Sequence, residues 1–104
     1  MTGLVYRAHG SPLDVLALED VAPGEGERVR VLAAPVLPMD QLQLRGRYPW
    51  PVALPAVGGA AGCGVIEGGD HAGQQVLLPI RAGTWRDGGH WPWHDLVPIP
   101  AIDP

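Results

Sequence analysis

At 104 residues the chain is sized for one small domain, and 46% hydrophobic residues make it globular rather than disordered. A net charge of −4 and a sequence pI of about 5.4 offer nothing to a phosphate backbone, which excludes nucleic acid as the expected partner. A single cysteine, Cys63, excludes an internal disulfide and a cysteine-rich zinc site, and no segment is long enough to span a bilayer.

The 15 Gly and 12 Pro break helices throughout and suit short strands joined by tight turns. All seven basic residues are Arg, and Lys, Asn and Phe are missing. This pattern is read as codon bias rather than as a sign of function, and a GC-rich, bacterial genome is the expected source. No basic start followed by an apolar run marks a leader, so the expected location is the cytoplasm.

Residues 4–8 predict a strand, His9-Gly10-Ser11-Pro12 turns it, and residues 15–20 alternate in polarity and predict a strand pairing back. Residues 22–27 form an acidic loop. Residues 28–36 give the clearest strand, in which Val29, Val31 and Ala33 alternate with Arg28, Arg30 and Leu32 as in a half-exposed antiparallel sheet. Pro38 suits the first position of a helix, where its missing N–H costs nothing. Residues 39–45 then predict a helix of about two turns ended by Gly46, a connector rather than a core helix. Residues 47–55 carry three prolines and are expected extended or looped. Further strands are expected at residues 65–67 and 75–80, around a turn at residues 68–73. Residues 81–89 hold another turn, and the prolyl stretch 91–99 fits a sheet edge better than its centre. The sum is mainly β with one short helix, a small barrel or sandwich.

Tyr48 is the strongest candidate for chemistry. A phenol stays protonated at neutral pH and can donate a hydrogen bond to a carbonyl oxygen on which charge develops. Arg45 and Arg47 beside it would favour an anionic ligand. The plainer alternative is an aromatic plug in a proline-rich loop. Gly58-Gly59-Ala60-Ala61-Gly62-Cys63-Gly64 is out of register with a dinucleotide loop, follows prolines and opens no helix, so close backbone packing at a barrel bend is expected. Cys63 is expected buried and inert. His90 and His94 have helical ligand spacing, but Pro92 between them argues against zinc. Trp85, Trp91 and Trp93 are expected in the core or at an interface, and Asp40 as a cap of the short helix.

These residues resemble a known family. Leu4-Val5-Tyr6 and Gly10, Val29-Arg30-Val31-Leu32-Ala33-Ala34-Pro35, Pro38 and Asp40, Gly46 and Tyr48, Leu54-Pro55-Ala56-Val57-Gly58-Gly59, and Gly83-Thr84-Trp85-Arg86 follow one another as in the N-terminal, GroES-like catalytic domain of the medium-chain dehydrogenases/reductases. Within that superfamily the chain resembles the zinc-free quinone oxidoreductases and trans-2-enoyl-thioester reductases. The resemblance implies a GroES-like, partly open β-barrel over residues 1–104. It also implies that Tyr48 hydrogen-bonds a thioester carbonyl while NADPH delivers hydride. Trp85 would shape the pocket, and Arg45, Arg47 and Trp50 would line the substrate side.

Leu37, Ala60 and Ala61 stand where the zinc branch has its ligands, so no metal is expected. Two departures from the enoyl reductases lie in the same places, since their Asn before the proline is Leu37 here and the Glu of their glycine loop is Ala61. The sequence ends where the family enters its nucleotide-binding domain, and no Rossmann unit is recognisable. The expected function is therefore the substrate-binding half of an enoyl or quinone reductase, with a separate nucleotide-binding domain supplied by a second polypeptide or by a longer parent chain. A family segment that returns to complete the domain is also missing, which should leave an exposed edge or apolar patch. The alternative is a stand-alone, non-redox GroES-like module, binding a ligand or partner or forming a homo-oligomer.

Overall fold

Alternating polarity and frequent turn residues divide the described residues into eight short strands and two helices. A computed structural model describes residues 1–49 and 52–100. The elements are β1 (Thr2–Tyr6), α1 (Pro12–Val15), β2 (Leu16–Asp20), β3 (Glu27–Ala33), α2 (Pro38–Leu44), β4 (Ala56–Val57), β5 (Cys63–Ile66), β6 (Gln75–Leu77), β7 (Gly88–Trp91) and β8 (Val97–Pro98), with a 3-10 turn at Trp93–Asp95. One sheet has three strands in the order β2-β1-β4, and the other has five in the order β7-β3-β5-β6-β8. The described strand pairs are antiparallel. The fold is mainly β, as expected, and among the described residues the two sheets stay open, as a partly open barrel requires.

The five-stranded sheet carries the core. Val29, Ile66, Val76, Leu78 and Leu96 are buried together, with Val31 and Trp91 packed against them. Val29 faces inward while Arg28 and Arg30 face water and reach Glu67, so the alternation read in β3 is real. The strand nevertheless ends at Ala33 rather than residue 36, after a register shift between Val31 and Ala33. The other sheet buries Val5 and Tyr6.

Several boundaries move for local reasons. Pro12 starts a single helical turn, so Val15 leaves the predicted strand and β2 begins at Leu16. β5 begins two residues early, at Cys63, and β6 stops at Leu77. Gly88 and Gly89, expected in a turn, open β7 beside β3, where an added Cβ on Gly88 would lie 2.8 Å from the Val29 carbonyl oxygen. Residues 91–99 do lie at sheet edges, in β7 and β8. Helix α2 is more than a connector, because it buries Leu44, Asp40 and Gln43.

Candidate functional site

Helix α2 sets up one side of the site. Pro38 opens it, and the Asp40 carboxylate accepts the Leu37 N–H at 2.7 Å, the capping role expected. Gly46 ends it at φ +73° and donates to the Gln43 carbonyl at 3.1 Å. A side chain there would press on the His9 ring, so the chain can leave the helix this closely only at glycine. Tyr48 follows in irregular backbone and is half-buried. Arg45 and Arg47 are both exposed; Arg45 borders a shallow cleft with Leu37, Pro38, Gln41 and Leu42. Trp50 lies outside the described residues.

Behind the helix is a polar niche that the sequence reading passed over. Asp40 Oδ1 and Gln43 Nε2 are buried and have no hydrogen-bond partner among the described residues. They sit three residues apart, on one face. Tyr6 is nearby and buried; burial and then the Asp40 carboxylate push its phenol above the ordinary value, and the Arg81 charge partly offsets them. Nothing in a strand of alternating polarity distinguishes an inward tyrosine from an outward one before its neighbours are known.

A second feature is an open apolar groove of about 800 Å³. Leu4, Leu16, Leu18, Leu32, Val36 and Trp85 line much of it. Several of its polar groups are engaged inside the chain. Trp85 Nε1 donates to the Pro35 carbonyl at 3.2 Å, Thr84 Oγ1 to Ala61 at 2.6 Å, and Arg86 to Gly88 and Ala22 at 2.7 and 2.6 Å. The Asp87 carboxylate accepts the Thr2 N–H at 3.0 Å. Such a groove recognises shape and apolar surface rather than charge. Trp85 is in its wall, half-buried; Tyr48 is not among its lining residues.

The glycine run packs backbone. An added Cβ would lie 2.4 Å from the Trp85 ring at Gly58, 2.4 Å from Thr84 Oγ1 at Gly59, and 2.5 Å from Val29 at Gly64. The Gly58 N–H is held by the Leu4 carbonyl at 3.0 Å, and the run leads into β5 rather than a helix. The described residues thus do not form a phosphate cradle for a dinucleotide. Cys63 is half-buried, less so than expected, and sits between Ala33 and Leu77. His90 in β7 faces the Gly26 carbonyl, and His94 in the 3-10 turn faces Asp95, so they share no helix face. Among the described residues no group of three or more His, Cys, Asp or Glu could hold a metal ion. Trp93 stacks on His71, with ring centres 3.6 Å apart.

No family model matches the chain. The mitochondrial enoyl-[acyl-carrier-protein] reductase of Xenopus tropicalis is 40% identical over 113 aligned residues, covering 98% of this chain and 32% of that protein. The chain is a relative of the enoyl and quinone reductases of the medium-chain dehydrogenase/reductase family. The human mitochondrial enoyl-[acyl-carrier-protein] reductase is 34% identical, over 97% of this chain and 30% of its own length. A putative NADPH:quinone reductase from Bacillus thuringiensis superposes with a TM-score of 0.81 at 31% identity, over 98% of this chain and 34% of that one. The Etr1p complex with NADP and crotonyl-CoA superposes at 0.79 and 28% identity, over 95% of this chain and 33% of that one. The chain spans about a third of the length of these relatives. The mainly β, GroES-like architecture and the oxidoreductase kinship read from the sequence both hold.

Proposed function

We propose that this chain is the substrate-side, GroES-like domain of an NADPH-dependent enoyl thioester or quinone reductase. The observation that carries the reading is the 40% identity to an enoyl-[acyl-carrier-protein] reductase along 98% of the chain. The described residues hold no dinucleotide cradle, so NADPH, the hydride source, would be bound by a separate nucleotide-binding domain or subunit. No metal is needed in this reading. Tyr48 would donate its O–H to the substrate carbonyl, where a preformed donor lowers the barrier as negative charge grows on oxygen. Helix α2 and the Gly46 turn would fix where that tyrosine stands. Arg45 and Arg47, both exposed, would meet an anionic part of the substrate or its carrier, and Trp50 would border the acyl or quinone ring. Trp85, in the wall of the groove, would help shape the pocket.

The test is a chimaera in which this chain replaces the matching third of the Xenopus tropicalis reductase. NADPH oxidation is followed with crotonyl-CoA and with a quinone. Activity with either substrate, reduced about 100-fold by Tyr48→Phe with NADPH binding unchanged, is the expected result. A folded chimaera that binds NADPH and reduces neither substrate would overturn the reading. That outcome would favour the second reading, a non-redox module, which the wide apolar groove independently supports.

A further inference from the structure

We propose that β2 pairs with β2 of a second copy of this chain, and that the groove beside it closes over the dimer axis. The proposal starts from the sheet edges. β4 and β8 are two residues long, and β8 ends in Pro98. β7 is already covered on its outer side, where Gly24 bridges His90 and the His90 N–H donates to Pro23. β2 is five residues long and, among the described residues, pairs with β1 alone. Natural proteins rarely leave such an edge bare.

The hydrogen-bond phase shows which groups β2 presents outward. Leu4 faces Leu18 across the β1–β2 pair. Yet the Leu4 N–H donates to the Trp85 carbonyl, and its own carbonyl accepts from Gly58. Leu4 and Leu18 are therefore a non-hydrogen-bonded pair, and the Leu18 N–H and C=O point away from β1. The same holds for Asp20, whose partner Thr2 gives its N–H and C=O to Asp87. Leu16 is in the same phase; its N–H is spent on Pro12, which leaves its carbonyl.

A two-fold axis at Leu18 uses these groups fully. Leu18 then meets Leu18 of the second copy and exchanges two hydrogen bonds with it. Each Asp20 N–H reaches the opposite Leu16 carbonyl. Ala17 lies opposite Glu19, and Leu16 opposite Asp20, so no acidic side chain faces another in an acidic strand. Glu19 is already held by Arg7 on its own chain. Leu18 is 72% exposed, and it and Leu16 line the groove, so this pairing joins the two grooves along their apolar rims.

The test is sedimentation equilibrium of the purified chain over a concentration series, with Leu18→Pro alongside. Proline removes the outward N–H, which β1 does not use. The native chain is expected to dimerise, and Leu18→Pro to weaken the dimer at least about tenfold with its circular dichroism unchanged. Should Leu18→Pro fail to fold, Leu18→Cys in a Cys63→Ser background decides. Opposed residues of such a pair lie about 5.5 Å apart between Cα atoms, within disulfide reach. A disulfide dimer forming under mild oxidation supports the pairing. A native chain that stays monomeric, a dimer that Leu18→Pro leaves intact, or a failure of Leu18→Cys to cross-link overturns it.

Discussion

The two sheets treat their apolar residues differently. The five-stranded sheet closes over Val29, Ile66, Val76, Leu78 and Leu96, with its arginines kept outside. The three-stranded sheet turns Leu4, Leu16 and Leu18 toward an open groove. Both draw on the same residue types and the same two-residue period. Hydrophobic content therefore predicts which residues want cover, and not which of them find it within this chain.

The sharpest way to break this comparison is to remove apolar volume on each side. Ile66→Ala leaves a cavity in a closed core and is expected to cost about 2–5 kcal/mol in urea unfolding. Val36→Ser, on the groove rim at 67% exposure, is expected to stay within about 0.5 kcal/mol. Equal losses would mean that the groove is part of the core.

A second contrast uses glycine. Gly59 has φ +101°, and an added Cβ would lie 2.4 Å from Thr84 Oγ1 and 2.7 Å from the Trp85 ring; Gly59→Ala is expected to cost about 1–3 kcal/mol. Gly68 has a similar φ of +93° with nothing within 4 Å, so Gly68→Ala should cost less in the same unfolding experiment. If the two were equal, backbone strain and not crowding would rule the glycine run.

The smallest effect concerns Tyr6. Burial raises its phenol above the ordinary value near 10, so the neutral phenol is favoured in the fold. That contribution is whole below about pH 10 and is lost as pH rises through the folded value. Tyr6→Phe should therefore lose less stability than the native chain on going from neutral to alkaline pH. Parallel stability curves would show that the phenol meets water.

Much of the fold could be read from particular residues. Pro38 and Gly46 bracket α2 because one lacks an N–H that the first turn does not need and the other accepts φ +73°. Val29 and Val31 announced β3. The glycine run was legible as packing because it failed every positional demand of a phosphate loop. The ends of strands were not legible, since β3 stops where the sheet shifts register and β6 where its partner strand runs out. Nor was the groove, whose walls come from β1, β2, the residues after β3 and Trp85. Their meeting depends on how the sheets are set against each other. The buried orphans Asp40 Oδ1 and Gln43 Nε2 were hidden for the same reason. Placing Tyr48 just after the helix was within reach of the sequence.

The seat of Trp85 has a consequence for how this domain can change over generations. Its ring lies where a Gly58 side chain would begin, 2.4 Å from the added Cβ, so the two positions form one steric unit. Enlarging Gly58 first meets the indole, and shrinking Trp85 first opens a slot beside bare backbone. Each step is costly alone and compensated by the other, which makes the pair epistatic. A lineage that reshapes this wall must cross a valley of fitness or change both residues in close succession.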